Sequence, residues 1–287
     1  MNDNKVIGLD LGASNIRGGL VHAGRLSQIH SRRIQSDGTV EQVLDDIYAI
    51  IDLLIEKDVA AIGIGVPSVV DVELGIVYDV QYIPSWKEVH LKSILEERYH
   101  VPVYVNNDAN CFVLGEYYFG KGAGVENLVG LAIGTGLGAG IIINHRLYAG
   151  PNCGAGEFGM VDYLDHCFEY YASGQYFQNV YHVDGQVVFD KAKAGDPQAQ
   201  QYYAEMGMHL GNAIKMIMYT YDTSLIIFGG SVRHAYPFFS KTMWDRINGF
   251  AFRKSLEKFR IELSELENSG ILGAAGLYYN SRKLYPA

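Results

Sequence analysis

Short apolar runs alternate with amphipathic stretches along most of the chain. The runs are rich in β-branched residues and end at Gly, Asp or Asn, which is typical of buried strands. They cover Val6–Leu9, Ala61–Val66, Val103–Val105 and Leu225–Phe228. The stretches between them have apolar residues at helical spacing, and these cover Val40–Lys57, Leu91–Tyr99, Ala109–Gly120, Ala199–Tyr221 and Tyr236–Asn248. Strands that alternate with helices predict an α/β fold.

Two segments in different parts of the chain resemble each other. Gly8–Val21 and Leu131–Ile142 each contain an apolar strand, a turn of small residues and a second apolar strand. Internal repetition of this kind indicates a chain built from two related halves. We therefore predict an N-terminal α/β domain at residues 1–108 and a larger one at residues 109–269.

Composition and charge exclude several classes of protein. The 287 residues include 48% hydrophobic residues, enough for a large core, and 23 Lys+Arg against 32 Asp+Glu give a net charge of −9. An acidic chain without a basic cluster is not expected to bind nucleic acid. The chain shows neither a secretory signal nor a bilayer-spanning apolar run, so we expect a soluble cytoplasmic protein without a membrane partner. Three scattered cysteines, Cys111, Cys153 and Cys167, provide neither a disulfide framework nor a four-cysteine metal site.

The first turn of small residues is a candidate phosphate-binding site. Gly12 has no side chain, so backbone N–H groups of the turn can approach an anion closely, and Ser14 adds a hydroxyl donor. Asp10, at the end of the preceding strand, would repel a bare phosphate but suits a phosphate that carries Mg²⁺. A tight turn without a ligand is the alternative.

Two further glycine-rich turns have the same character. Gly134, Thr135 and Gly136 form a second small-residue turn with a hydroxyl, and Gly229 and Gly230 follow another buried strand. The paired glycines would let a flat purine lie against the backbone. Each could again be only a turn, but their joint occurrence favours a nucleotide triphosphate as ligand.

Acidic and amide side chains follow a buried strand at Asn107 and Asp108. Either side chain could cap the helix that begins there. A carboxylate at the carboxyl end of a strand also lies where α/β sheets bind ligands, and it can accept a proton from a hydroxyl. Glu157 and Glu169 lie in or beside glycine-rich loops, where carboxylates suit sugar hydroxyls. Solvated surface charge is the alternative for both.

Seven motifs in one order extend over nearly the whole chain. They are Asp10–Ser14, Gly65–Pro67, Val105–Asn110, Gly134–Gly138, Gly156–Gly159, Cys167–Gly174 and Phe228–Ser231. In this order they resemble the ROK family of sugar kinases and repressors, from about residue 5 to 280. The resemblance implies the actin-like ATPase (ribonuclease H-like) fold, with two related α/β domains around a cleft. It also implies a C-terminal helix, about residues 270–287 with Gly270–Leu284 as its main part, that returns to the first domain.

The resemblance implies an ATP-dependent hexose or N-acetylhexosamine kinase with Asp108 as general base. The residues implied around the ATP phosphates are Asp10, Gly12, Ser14, Gly134, Thr135, Gly136, Gly229 and Gly230. Those implied at the sugar are Pro67, Asn107, Asp108, Glu157 and Glu169. Asp10 would hold Mg²⁺ through water. Repressors of the family have an N-terminal helix-turn-helix, and because a strand begins here by residue 5 we expect a kinase, as a homodimer or homotetramer like many relatives.

The sequence departs from its relatives in one loop. Met160 stands where relatives have a histidine that contacts the sugar, and Val161–Cys167 replaces a cysteine-rich zinc motif with one cysteine. Because adjacent His166 and Cys167 cannot easily face one ion, we expect no zinc site. Ser68 and Tyr82 also differ, which leaves the sugar open. Two alternatives follow: a catalytically weak sugar-binding protein of the same fold, and an actin-like ATPase that serves assembly.

Overall fold

The computed structural model describes residues 4–283, which form two compact units. The first unit contains the described residues up to Glu126, the segment Gly140–Ala155 and the described residues from Glu265 onward. The second unit contains Asn127–Ala139 and Gly156–Ser264. These units describe packing, whereas the bounds 1–108 and 109–269 describe repeated halves of the sequence and stay a prediction.

Strands and helices alternate along the described chain. The strands are β1 (Lys5–Leu11), β2 (Asn15–His22), β3 (Arg25–Arg33), β4 (Val59–Val66), β5 (Val69–Asp71), β6 (Ile76–Tyr78), β7 (Glu88–Val89), β8 (Val103–Asn107), β9 (Leu128–Ile133), β10 (Leu137–Ile143), β11 (Arg146–Leu147), β12 (Asp162–Tyr163), β13 (His166–Cys167), β14 (Leu225–Gly229) and β15 (Arg260–Leu263). The α-helices are α1 (Val40–Leu54), α2 (Leu91–Tyr99), α3 (Asp108–Phe119), α4 (Phe168–Ala172), α5 (Tyr176–Tyr181), α6 (Gly185–Lys193), α7 (Pro197–Tyr221), α8 (Tyr236–Ile247), α9 (Arg253–Leu256) and α10 (Ser269–Ser281).

Two five-stranded sheets have the same internal order. In the first, β3-β2-β1-β4-β8, β1 to β3 are antiparallel neighbours, and β4 and β8 follow in parallel. In the second, β11-β10-β9-β14-β15, β10 and β11 are antiparallel, and β9, β14 and β15 are parallel. The repetition that the sequence indicated is therefore present as two sheets of one topology, and the predicted α/β fold is confirmed.

Burial explains why the predicted strands appear in the sequence as continuous apolar runs. Ile7 and Leu9 of β1 and Ile62 and Ile64 of β4 are all fully buried. Their sheet is central to the core of the first unit, where the apolar side of α1 also packs. Strands covered on both faces need apolar residues at every position, because alternating polar side chains would lose their water.

Local signals fix where the helices begin. Thr39 and Gln42 form a reciprocal capping box at α1, which satisfies two backbone donors that the helix itself leaves free. At α7 the side chain of Asp196 accepts from the Ala199 amide at 2.8 Å, and Pro197 occupies the first turn. The predicted strands are all present, and the five predicted helices match α1, α2, α3, α7 and α8 within three residues at each end.

Helix α10 lies directly against the first sheet, because glycines leave room for its backbone. A Cβ added to Gly8 of β1 would lie 2.0 Å from the Ile271 carbonyl oxygen, and one added to Gly63 of β4 would lie 1.9 Å from that of Ala274. Any side chain at either position would collide with backbone that cannot rotate away. Helix α10 therefore packs in the first unit. The return of the C-terminal helix to the domain predicted at residues 1–108 stays a prediction, and residues 284–287 of the expected helix lie outside the described residues.

Candidate active site

The turn between β1 and β2 keeps the compact shape that a phosphate cradle needs. The strands stay paired down to Leu11 and Ile16, and the Gly12 amide then donates to the Asn15 carbonyl oxygen at 2.9 Å. Ser14 is exposed at the tip and lines a cavity of about 410 Å³ together with Arg33 and residues 34–38. The turn thus presents a hydroxyl to a cavity whose lining contains one positive and one negative side chain, Arg33 and Asp37.

Asp10 lies at the first turn of α10. A Cβ added to Gly270 would lie 2.6 Å from Asp10 Cγ, so glycine is required for this approach. Burial raises the pKa of Asp10, and the positive charge of Arg17 opposes that shift in part. A desolvated carboxylate with so little compensating charge is suited to a cation that brings its own water ligands.

Side chains that could bind a metal ion do not form clusters in the part of the chain that the structure describes. Within residues 4–283, no group of three or more His, Cys, Asp and Glu side chains could hold an ion. An ion beside Asp10 would therefore take most of its ligands from water and phosphate oxygens. Mg²⁺ accepts that arrangement, since it keeps several waters and needs only one or two carboxylates.

Asn107 and Asp108 both take part in the start of α3. The Asn107 side chain caps the helix by accepting from the Ala109 amide at 2.9 Å, and its Nδ2 donates to the Ser68 carbonyl oxygen at 3.2 Å. Asp108 Oδ1 accepts from the same Ala109 amide at 2.8 Å. The Asp108 side chain is nevertheless exposed in the first turn of the helix, directly after β8, so the carboxylate is accessible to a ligand.

Pro67 follows the neighbouring strand at the same edge of the sheet. Strand β4 pairs with β8 up to Val66 and Asn107, so Pro67 comes one residue beyond the last paired position. The structure thus brings Pro67, Asn107 and Asp108 to the carboxyl ends of adjacent parallel strands, where open α/β sheets bind ligands.

Asn106 supports this edge and was not singled out by the sequence. It is only 2% exposed, and its Oδ1 accepts from the Asn107 amide at 2.9 Å, Asn110 Nδ2 at 2.8 Å and the Cys153 thiol at 3.2 Å. Burial raises the pKa of the Cys111 thiol, with smaller contributions from the charges of Asp10 and Asp108. A polar residue at the end of an otherwise apolar strand was the available signal for Asn106.

In the second unit, the turn between β9 and β10 is tied to a distant carboxylate. Glu169 Oε2 accepts from the Leu137 amide at 2.8 Å, and a Cβ on Gly136 would lie 2.6 Å from the same oxygen. The Gly134 carbonyl oxygen accepts from the Gly174 amide at 2.7 Å. The structure therefore brings together three of the predicted residues, Gly134, Gly136 and Glu169.

The backbone conformation and the packing at Gly230 both require glycine, which the sequence alone did not indicate. Its φ is +74°, and a Cβ there would lie 2.2 Å from the Ile133 carbonyl oxygen. Gly229 ends β14 and pairs with Ala132 of β9. The close approach of two backbones thus explains this pair independently of any purine.

A cavity of about 910 Å³ begins at the turn between β9 and β10 and lies wholly in the second unit. Gly134, Thr135 and Ser231 line one part of it, and aromatic side chains line another. Those aromatic residues are Phe177, Phe189, Tyr203 and Phe238. Backbone amides and hydroxyls beside an apolar recess match a ligand with a phosphate end and a flat ring.

Glu157 and Met160 lie in one turn of 3-10 helix in the second unit. Packing around the Glu157 carboxyl raises its pKa although part of the side chain is exposed, and the nearby Glu169 charge raises it further. Met160 is 62% exposed, so its thioether is open to a ligand or to water. The structure thus places two carboxylates close enough to interact, as binding of one polyol requires.

The shortened stretch after Met160 forms the β12–β13 hairpin. Asp162 pairs with Cys167 and Tyr163 with His166, and Leu164 turns the chain with a φ of +53°. Aromatic rings of the hairpin and of α4 pack against one another, Tyr163 on Phe168 and His166 on Tyr170. Among residues 4–283, no helix is long and apolar enough to cross a bilayer.

Comparison with known proteins agrees with this architecture. The sequence model of the ROK family matches residues 6–281. The chain is 28% identical to a β-glucoside kinase from Klebsiella pneumoniae, covering 98% of this chain and 97% of the relative. It is 25% identical to a xylose repressor from Caldicellulosiruptor bescii, covering 98% of this chain and 79% of the repressor.

A solved structure shows the same fold. The ROK family glucokinase from Streptomyces griseus, in complex with glucose and AMPPNP, superposes with a TM-score of 0.74 at 28% identity over 96% of this chain and 99% of that one. The present chain thus has the actin-like ATPase fold of sugar kinases, as predicted. It belongs to the ROK family, whose members similar to it include both kinases and repressors.

Proposed function

We propose that this chain is an ATP-dependent sugar kinase that transfers the γ-phosphate of Mg-ATP to a hydroxyl of a hexose or N-acetylhexosamine. The observation that carries the proposal is the exposed Asp108 carboxylate, which lies directly after β8 at the carboxyl end of a parallel strand. A protein that only binds sugar has no need of a proton acceptor at this position. The kinases among the similar proteins support the same activity.

Phosphoryl transfer needs positioning and charge more than covalent chemistry. In the proposed reaction the sugar oxygen forms a bond to the γ-phosphorus, the bond from that phosphorus to the β,γ-bridging oxygen breaks, and ADP leaves. Asp108 accepts the proton of the attacking hydroxyl. Asn107, Glu157 and Glu169 would bind other hydroxyls of the sugar, and Pro67 is the remaining residue that we assign to sugar binding.

The nucleotide has separate candidate contacts. The Ser14 hydroxyl of one turn and the Thr135 hydroxyl of the other would donate to the phosphates, and Gly12, Gly134 and Gly136 would let the phosphates approach the backbone closely. The 910 Å³ cavity beyond Gly134 has the shape and apolar lining for a nucleoside, and Gly229 and Gly230 form part of the backbone leading to it. Asp10 would bind Mg²⁺ through water, and the ion would neutralise charge on the transferred phosphate.

A second candidate function is a sugar-binding protein of the same fold with weak catalysis. Two observations favour it. Met160 is exposed and offers only a weak sulfur acceptor where the family resemblance implies a histidine, and some similar proteins are xylose repressors. Such a protein would bind sugar without releasing ADP.

Sugar-dependent ADP release from Mg-ATP distinguishes the two functions. The panel is glucose, mannose, fructose, allose, N-acetylglucosamine and N-acetylmannosamine. We expect strong turnover on at least one sugar and a loss of about 10²- to 10⁴-fold in Asp108→Asn, the contribution of a general base. Asp245→Asn, an exposed carboxylate on α8 paired with Lys241, is the matched control and should behave as wild type.

Two results would contradict the proposal. Turnover in Asp108→Asn near that of wild type would remove Asp108 from the mechanism. No turnover on any sugar of the panel, with sugar binding still measurable by calorimetry, would favour the binding protein instead.

A further inference from the structure

The β12–β13 hairpin separates Glu157 from Glu169 in the sequence and is attached to α7 by one tyrosine. The Tyr163 ring stacks on Phe168 with centroids 4.3 Å apart and planes inclined by 15°. Its hydroxyl lies 3.2 Å from His209 Nδ1 and 2.8 Å from Asn212 Nδ2, both on α7. We call Tyr163, His209 and Asn212 the tyrosine clasp.

The partners of Tyr163 fix the direction of one of the two hydrogen bonds. Asn212 Nδ2 can only donate, so it donates to the phenol oxygen. The direction of the bond to His209 Nδ1 depends on the imidazole tautomer. We assign the clasp a neutral His209 with its proton on Nε2, so that Nδ1 accepts the phenol proton.

Groups from five elements face His209. Tyr163 comes from the hairpin, and the Tyr171 and Tyr176 rings of α4 and α5 have centroids 5.0 and 5.7 Å from the imidazole. Glu205 of α7 and Arg246 of α8 act on it by charge. Burial lowers the pKa of His209, the Glu205 charge raises it, and the Arg246 charge lowers it, with a lowered value as the net result. The imidazole is therefore neutral near neutral pH, as the clasp requires.

The clasp is connected to the candidate sugar carboxylates by a short path. The Phe168 amide donates to the Val161 carbonyl oxygen at 3.1 Å, which joins the base of the hairpin to the start of α4. Glu169 is the next residue, and its Oε2 accepts from the Leu137 amide. A hairpin that left α7 would draw Phe168 with it and so move the Glu169 backbone.

We propose that Tyr163 and His209 are positioning residues, which hold the Glu157–Glu169 segment in its sugar-binding geometry and release it when His209 is protonated. The assignment of the segment to sugar binding rests on the proposed function, whereas the attachment itself does not. Protonation places a hydrogen on Nδ1, so the phenol proton loses its acceptor and has to turn away from His209.

Tyr163→Phe tests the clasp, because it removes the hydroxyl and leaves the stacked ring. Hydrogen exchange of peptides covering residues 157–169, without ligand at about pH 7.5, should become about three- to tenfold faster, the effect of one neutral hydrogen bond. Tyr219→Phe is the matched control, since it removes a hydroxyl of the same helix that accepts from the Ala251 amide. It should leave exchange at residues 157–169 unchanged.

Kinetics give the functional readout with Mg-ATP and either D-glucose or N-acetyl-D-glucosamine. We expect the sugar KM of Tyr163→Phe to rise about three- to tenfold while kcat stays within about twofold, because a misplaced Glu169 weakens binding in ground and transition states alike. Because burial lowers the pKa of His209, the pH series on wild type runs downward from about 7.5 over the whole range in which the protein stays folded, and it should reduce the protection factor of residues 157–169 in the same way. Tyr163→Phe should lack that pH response.

The outcomes separate this proposal from the proposed function. Wild-type exchange in folded Tyr163→Phe, or an unchanged sugar KM in an active variant, overturns the clasp alone. If the variant fails to fold, the pH series on wild type decides, and protection that does not change with pH overturns the proposal. No turnover on any sugar of the panel contradicts the kinase, while the exchange results still decide the attachment.

Discussion

The two five-stranded sheets have one topology, yet they acquire an acidic group beside the small-residue turn in different ways. On β1 the carboxylate belongs to the strand itself, as Asp10. Strand β9 has no acidic residue, and Glu169 reaches its turn from α4, through the Leu137 amide. Equivalent positions in a repeated fold can therefore hold the same chemical group with no similarity in local sequence.

The difference also separates two kinds of chemistry. Asp10 is fixed by a strand and lies at the first turn of α10, where its desolvated charge would attract a hydrated ion. Glu169 is held by a backbone amide and interacts with Glu157, so it belongs to a pair of hydrogen-bond acceptors. One turn is thus equipped for a metal-bound phosphate and the other for phosphate beside sugar.

The largest expected effect comes from replacing Asp10 or Glu169, one at a time, by the corresponding amide. Asp10→Asn should lower kcat about 10²- to 10³-fold and raise the Mg²⁺ concentration needed for half-maximal rate, since metal coordination contributes several kcal/mol. Glu169→Gln should instead act mainly on the sugar KM, by about tenfold. Titrations of Mg²⁺ and of sugar in both variants check this. If both variants changed the same parameter, the two turns would not have separate roles.

Adding a methyl group to each turn should give a smaller and unequal effect. In Gly136→Ala the new Cβ would meet Glu169 Oε2 at 2.6 Å and displace it, whereas in Gly12→Ala it would meet the Asn15 carbonyl oxygen at 3.3 Å. We expect a rise of about tenfold in sugar KM for the first, from the loss of one charged hydrogen bond, and little change for the second. Gly154→Ala, with no atom within 4 Å of its Cβ, is the control. Equal KM values for Gly136→Ala and Gly154→Ala would contradict this prediction.

The smallest expected effect concerns stability. Burial raises the pKa of Asp10 and of Glu157, so the folded state binds protons more tightly than the unfolded chain, and stability is lost as pH rises through the folded pKa. Asp10→Asn should therefore increase the free energy of unfolding at pH 7 by about 1 kcal/mol, with less gain near pH 4. Glu157→Gln should change it in the same direction but less, because Glu157 is more exposed. Thermal denaturation at both pH values measures this, and a loss of stability at pH 7 would show that burial is not the dominant cause.

Much of the fold could be predicted from the sequence because its signals are local. The buried strands are apolar at every position, and α1 and α7 begin at side chains that cap them. The motif order was sufficient for the family, which the match over residues 6–281 confirms. The position of Asp108 after β8 was likewise visible as a polar residue ending an apolar run.

The remaining features depend on residues that are distant in the sequence. Nothing near Gly136 indicates that Glu169 occupies the space of its missing side chain, and nothing near Gly230 indicates the Ile133 backbone. Tyr163 is attached to α7 through His209 and Asn212, which follow it in the sequence by 46 and 49 residues. Such contacts appear only once tertiary packing is known.

The glycine contacts of α10 have a consequence for folding during synthesis. Gly8 and Gly63 leave the ribosome long before α10, the helix that fills the space above them. Until α10 has been made, the first sheet has an uncovered groove, and contacts of such long sequence separation form slowly. Nascent chains should therefore complete the second unit first and depend on chaperones at the first sheet until α10 has emerged.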